Sequence, residues 1–497
     1  MGLGYGFRYN HCNQTTSWDG YVPATRSVPI CVDLDGSLIR TDLLVETFLL
    51  LLKKQPWVIF IWPFWLLRGK AYFKQTLAER ISFDASQLPY QPELLSWLKE
   101  QRQQGRTLVL ATASHQLLAQ KVADHLGIFA EVMATHAGIN LSGKTKAQRL
   151  TQRYGIRGYD YVGNHSCDLE VWKTANKAIV VHTSSRLELE AARECTVEKV
   201  FYNPAAKFSD YTKALRLHQW LKNVLIFIPM LMAHKLMQPN IWLQSLTAFV
   251  TFSWCASSVY LMNDLLDLPS DRKHPRKKNR PFAAGIIPAY QGFILVPVLL
   301  LLSISLALYA LPLYFTAVLG AYYMLTMAYS VWLKSIVMMD ILVLASLYTL
   351  RILAGMAATG IALSFWLLAF SLFIFFSLAL VKRYSELYLQ CQLHELTDFG
   401  RGYHVKDMIM LMIFGVTSGF MAVLIFALYL NSPDLTHLYP HAERLWLITP
   451  ILLYWVSRIW VITHRGEMHD DPVVFAATDT WSWIMALLIL FLMYIAT

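Results

Sequence analysis

The chain is 497 residues long, 56% hydrophobic and only 15% charged, with a formal net charge of +10 at pH 7. This balance excludes an ordinary soluble domain and describes a polytopic membrane protein. The basic excess lies in loops and in the N-terminal third with no base-reading signal beside it, so nucleic acid is excluded as a partner.

Residues 1–27 are polar and unpatterned and read as a flexible leader. They lack the basic-then-apolar-then-small order of a signal peptide, which predicts that the first domain stays in the cytoplasm. Residues 28–203 form that domain, and residues 204–497 form a membrane domain. Val28 to Val32, Thr107 to Ala111, Tyr159 to Val162 and Ala178 to His182 read as strands with helical stretches between them. This alternation predicts a parallel α/β sheet. Residues 57–67 are too short to span a bilayer. Trp57, Trp62 and Trp65 fit a helix resting on the membrane, and a buried helix of a small cap fits the same segment. The six cysteines (Cys12, Cys31, Cys167, Cys195, Cys255 and Cys391) show no CxxC spacing and read as reduced thiols.

Beyond residue 205 long uncharged runs dominate. Phe282 to Leu333 and Ile352 to Val381 carry no charge, and each is long enough to fold back as two helices, with Pro312 and Gly360 as turns. The pattern gives about nine spans, beginning near Leu217, Asn240, Ala289, Leu313, Ile336, Ala362, Met408, Leu445 and Thr480. One set of connections holds only Lys235 and Arg444. The other holds the 272–280 basic run, Lys334, Lys382, Arg383, Arg401, Lys406 and Arg465, and the positive-inside rule places it in the cytoplasm. The nine spans then put Thr497 outside. The expected location is a bacterial inner membrane, with the N-terminal domain and the basic run on one side.

Two groups of residues carry chemistry. In the first domain, Asp33-Leu34-Asp35-Gly36-Ser37 follows an apolar strand. Two carboxylates around one residue at a strand's end can divide nucleophile and acid/base roles around magnesium. Thr112 ends the next strand, Lys146 (or Lys144) can neutralise a phosphoryl group, and Asp168 follows the third strand. In the membrane domain, Asn263 and Asp264 open a stretch in which Asp264, Asp267 and Asp271 share roughly one face of a helix. Arg272, Lys273, Lys277, Lys278 and Arg280 follow. Carboxylates hold hard divalent cations, and cations hold phosphate, so this is a magnesium–diphosphate motif. Asp340 and Arg351 lie eleven residues apart and share a helix face; ionisable groups inside a span point to function. His464 to Asp471 reads as a solvated loop.

The DxDGS sequence with its three later motifs resembles the haloacid dehalogenase superfamily over residues 28–200. The resemblance implies Asp33 as nucleophile and Asp35 as acid/base, with Asp168 helping to hold magnesium. Asn164 stands where that family usually has an aspartate, which implies a weaker magnesium site. The Asp-rich motif resembles the UbiA superfamily of intramembrane prenyltransferases over about 210–497. Three further segments carry that likeness: Arg216, Gln219, Lys222 and Asn223; Tyr329 and Lys334; and Lys382, Arg383 and Glu386. A lone glutamate replaces the second Asp-rich motif, which looks like the decaprenyl-phosphate phosphoribosyltransferase branch. That branch implies 5-phosphoribosyl diphosphate as donor and a polyprenyl phosphate as acceptor. The alternatives are prenyl transfer from a polyprenyl diphosphate to an aromatic ring, and a non-enzymatic lipid transporter. An oligomer is compatible with each.

Overall fold

A computed structural model of the chain describes residues 27–496 apart from 137, 183, 184, 204, 363, 394–401, 433, 434, 436–438, 469 and 470. The leader over 1–26, Arg401, His469, Asp470 and Thr497 therefore lie outside the described residues.

The N-terminal domain is a six-stranded parallel sheet in the order β3-β2-β1-β4-β5-β6. The strands are β1 (Ile30–Val32), β2 (Leu108–His115), β3 (Glu131–Thr135), β4 (Asp160–Gly163), β5 (Lys177–His182) and β6 (Thr196–Tyr202). The four strands expected from the sequence are β1, β2, β4 and β5. The two additions are the sheet's edges, where a short or half-exposed strand carries little apolar signal. Ile30, Cys31 and Val32 are fully buried, as a central strand covered on both faces requires.

The connection from β1 to β2 carries a small helical cap: Leu43–Lys54, Pro56–Phe60, Trp62–Leu67 and Lys70–Arg80. Val58 and Trp65 pack into a cluster with Phe48, Leu51, Phe73, Leu77 and Ile81. The cap reading of 57–67 thus holds for its inner side.

In the membrane domain six helices are long and apolar enough to cross a bilayer: Pro239–Leu266, Ala289–Ala310, Met339–Thr359, Phe365–Leu389, Val405–Tyr429 and Ala442–His464. The bent pair Pro472–Thr478 and Thr480–Ala496 brings the number to seven among the described residues. The nine expected spans are therefore not confirmed; a count of seven keeps their odd parity, whereas six would reverse it. The segment after Arg216 is a 3-10 stretch, Leu217–Phe227, followed by the five-residue helix Ile228–Met232. Pro229, which lacks an N–H, stands at that helix's start and opposes a continuous span. Leu313–Val331 is a helix of 19 residues, but its four tyrosines lower its hydropathy. The expected turns are present: Pro312 precedes that helix, and Gly360 caps Met339–Thr359 at φ +66°.

The two domains meet on the Asp-rich motif. Leu49 of the cap packs with Leu261, Leu265, Leu268 and Phe282. Arg272 forms a buried ion pair with Glu46. Lys53 reaches Asp267 at 2.6 Å. Gly285, at φ +68°, faces Arg40 so closely that a Cβ there would lie 2.7 Å from the arginine's own.

Candidate functional site

The first site lies at the carboxyl ends of β1, β2 and β4. Lys146, on the helix Gly143–Tyr154, donates to Asp33 Oδ1 at 2.7 Å, which selects it over Lys144. Lys146 also donates to the Tyr161 hydroxyl at 2.8 Å, and that hydroxyl donates to Asp168 at 2.9 Å. Asp35 accepts from Leu43 N and from Ser114 Oγ. Thr112 is fully buried and its hydroxyl accepts from Ser114 N. Burial pushes the Asp35 carboxyl up to about 7, with the charges of Asp42 and Asp33 adding to it. Burial also raises Asp33, against the pull of Lys146. Burial works against the Lys146 ammonium, but Asp33 and Asp168 outweigh it and raise its pKa.

The Asp168 carboxylate accepts from Tyr161, Asn164 N and His165 N, so it also fastens the loop after β4. Among the described residues no three His, Cys, Asp or Glu side chains gather as a metal cluster. Asn164 instead packs over Gly36 at φ +75°, where a Cβ would lie 2.1 Å from its amide nitrogen. Its amide oxygen accepts from Ser37. Three contributors were not visible in the sequence: Tyr161, Ser114, and Lys74 of the cap, which donates to Ala113 O at 2.6 Å and to Asn140 at 2.8 Å.

The second site is a cavity of about 700 Å³ in the membrane domain. Of the expected binding residues, Arg216, Gln219, Lys222, Asn263, Arg280, Tyr329, Arg351, Lys382 and Glu386 line it. Arg276 and Lys277 line it where Lys278 was expected. The Asp-rich motif is not one helix. Pro239–Leu266 ends at Asp267, and Leu268–Lys273 restarts with Pro269 in its first turn. Asp264 and Asp271 share one guanidinium nitrogen of Arg280, at 2.9 and 2.7 Å, and Arg216 also pairs with Asp264. Asp267 is held instead by Lys53 and, at 3.4 Å, by Lys334. A single cation therefore already fits between Asp264 and Asp271, which makes these two carboxylates a fit for a divalent ion.

A second charged cluster lines the same cavity. Asp471 accepts from Lys222 at 2.7 Å, Lys382 at 3.1 Å and Tyr348 at 3.3 Å. Asp471, expected in a solvated loop, is the N-cap of the helix Pro472–Thr478 and also accepts from Val473 N. Arg351 does not pair with Asp340. Eleven residues along a helix is about 16 Å, too far for a shared contact. Arg351 donates to Asn223 at 2.9 Å and Tyr322 at 3.2 Å and lies over the rings of Phe252, Tyr322 and Tyr348. Asp340 is fully buried against Arg383 at 2.7 Å and Tyr403, and Arg383 also meets Glu386. Asp340 and Arg383 thus hold the helices together and do not line the cavity. Asn223, likewise, positions Arg351 and bonds Ser253.

A parallel-sheet α/β domain with an Asp33–Lys146 centre, docked on a helical membrane domain with a charged cavity, defines a membrane-embedded transferase joined to a phosphohydrolase-type fold. Residues 223–483 match the UbiA prenyltransferase family and residues 30–173 match haloacid dehalogenase-like hydrolase. The chain belongs to the UbiA prenyltransferase family, with a haloacid dehalogenase-like domain at its N-terminus. It is 35% identical over 468 residues to the uncharacterized protein y4nM of Sinorhizobium fredii, covering 93% of this chain and 90% of that one. It is 36% identical to the nodulation protein NoeC of Azorhizobium caulinodans, over 58% of this chain and 94% of that protein. It is 37% identical to decaprenyl-phosphate phosphoribosyltransferase of Corynebacterium glutamicum, over 36% of this chain and 54% of that enzyme. Among solved structures, a UbiA homolog from Archaeoglobus fulgidus bound to DMAPP and Mg2+ overlays 58% of this chain and 98% of its own, with 15% identity and a TM-score of 0.44.

Proposed function

We propose that the membrane domain moves the phosphoribosyl group of 5-phosphoribosyl diphosphate to a polyprenyl phosphate, and that the N-terminal domain then removes the 5-phosphate of the product. The observation that carries this reading is the presence of two cationic groups in the lining of one cavity. Arg216 and Arg280, which pair with Asp264 and Asp271, line the cavity with Arg276 and Lys277, and Lys222, Lys382 and Arg351 form a second cationic group in the same lining. Two phosphorylated substrates need two cationic subsites each matched to phosphate; prenyl transfer to a hydroxybenzoate needs one, with a smaller contact for a single carboxylate. The similarity to decaprenyl-phosphate phosphoribosyltransferase supports the same donor and acceptor.

Magnesium, held by Asp264 and Asp271, would withdraw charge from the donor's diphosphate. The lipid phosphate oxygen attacks the sugar C1 as the bond from C1 to the diphosphate breaks, and pyrophosphate leaves. Arg280 and Arg216 turn from the carboxylates to the leaving group. The product keeps a 5-phosphomonoester. Asp33 attacks that phosphorus while Asp35 protonates the leaving sugar oxygen and Lys146 offsets the phosphoryl charge; water, deprotonated by Asp35, then hydrolyses the aspartyl phosphate, releasing phosphate and restoring Asp33. Magnesium in this second site would draw on Asp33 and on the amide oxygen of Asn164. We place the hydrolase domain and the Asp-rich motif on the cytoplasmic face of a bacterial inner membrane.

The test supplies purified protein and magnesium with labelled 5-phosphoribosyl diphosphate and a polyprenyl phosphate. Labelled lipid is expected, and Asp33→Asn should make its 5-phosphorylated form accumulate. Absence of labelled lipid, with product formed instead from a polyprenyl diphosphate and 4-hydroxybenzoate, would refute the reading.

A further inference from the structure

We infer that the outer side of the cap, residues 57–67, is a membrane-docking surface that inserts at the boundary between anionic lipid headgroups and acyl chains. Pro56–Phe60 and Trp62–Leu67 turn Val58 and Trp65 inward, while Trp57, Phe60, Phe64 and Leu67 stay 50%, 77%, 65% and 83% exposed. Four such side chains present roughly 500 Å² of apolar surface, at the upper end of what a soluble face carries. They belong to the domain outside the spans, so no span accounts for their exposure.

The patch is continuous with the bilayer-facing part of the molecule. Phe48, whose ring packs on Trp62 and Phe73, also meets Phe293 edge-on at 5.6 Å. Phe293 lies four residues inside Ala289–Ala310, about 6 Å from the start of that span. The cap core is therefore level with the end of a helix that faces lipid. The Glu46–Arg272 and Lys53–Asp267 ion pairs fix that level.

Charge selects the lipid. Residues 51–70 contain no acidic side chain, and with Lys53 paired to Asp267 the basic residues left for headgroups are Lys54, Arg68 and Lys70. Aromatic and leucine side chains rimmed by lysine and arginine match an interface with anionic headgroups. One consequence rests on the proposed function: the hydrolase cleft, to which Lys74 of the same cap contributes, is held over the surface where a lipid-borne phosphomonoester emerges.

The test uses the full chain with Cys12, Cys167 and Cys391 replaced by serine, in phosphatidylcholine–phosphatidylglycerol nanodiscs. A nitroxide is placed at Phe60 or Leu67, with exposed Ile156 as an aqueous reference. Accessibility to oxygen and to a nickel chelate is read. The expected result is a severalfold higher oxygen-to-nickel ratio at residues 60 and 67 than at 156, decreasing when phosphatidylglycerol is omitted. A water-like ratio overturns the inference, and so does low access to both reagents, which would mean that protein covers the patch. This readout is independent of either activity. The double substitution Phe60→Glu with Leu67→Glu should slow hydrolysis of the lipid-borne phosphomonoester about tenfold and leave a soluble phosphomonoester unaffected. Equal slowing of both would place the effect in the hydrolase fold and overturn the docking role.

Discussion

Replacing Arg272 by alanine removes the cation that neutralises Glu46 across the domain interface. The guanidinium donates twice to that carboxylate, at 2.9 and 2.5 Å, and also to Ala283 O at 3.0 Å. Both side chains are buried, so water cannot take the vacated positions cheaply. Breaking one partner of a buried ion pair costs about 3–5 kcal/mol, because an unpaired charge remains. At about 1.4 kcal/mol per factor of ten, this is roughly a hundredfold or more in the local opening equilibrium. Amide exchange of Leu43–Lys54, followed by mass spectrometry on the full chain in nanodiscs, reads it directly. Exchange there should accelerate by about that factor, and the double change Arg272→Met with Glu46→Leu should recover most of the protection. The same helix supplies Leu43 N to Asp35, so the loosened variant should also hydrolyse phosphomonoesters more slowly. An acceleration below about fivefold would refute the reasoning and mean that the remaining contacts, those of Leu49 and Phe48 and the Lys53–Asp267 pair, hold the domains together.

Asp264→Asn should lower lipid transfer on the order of a hundredfold to a thousandfold without unfolding the membrane domain, measured by labelled-lipid formation, since it removes charge from the wall that faces the diphosphate. Asp471→Asn should lower kcat/KM for the lipid acceptor about tenfold or more, because Lys222 and Lys382 lose the carboxylate that holds them together. The magnesium-free hydrolase domain should lose stability as pH rises from about 4 to about 7. Asp35, raised to about 7, binds a proton in the folded state over that range and not in the unfolded chain, so thermal melting in chelator should fall with pH and the slope should shrink when magnesium is added. Lys277→Cys in inverted inner-membrane vesicles should react with an impermeant maleimide, whereas in intact spheroplasts it should not.

The chemistry-bearing motifs were legible because each is local. Asp33 and Asp35 lie two residues apart at the end of an apolar strand, and Asp264, Asp267 and Asp271 lie within eight residues beside a basic run. Short-range spacing and hydropathy carry that information, as they do for the parallel sheet and for most of the membrane helices. The partnerships were not legible, because they depend on which distant segments meet. Asp340 and Arg351 share a helix, yet Arg383 and Asn223, from other segments, decide their contacts. Asp471 looked solvated because its own neighbours are polar; it caps the helix Pro472–Thr478, and two lysines from distant segments, Lys222 and Lys382, meet it there. The break at Asp267 shows the same limit on a small scale: the acids keep their helical spacing in sequence, but Pro269 ends the ladder and turns Asp267 toward Lys53 of another domain. Spacing along a chain fixes which groups are near in sequence, while burial and charge pairing depend on packing between elements, and that is settled only when the tertiary structure closes.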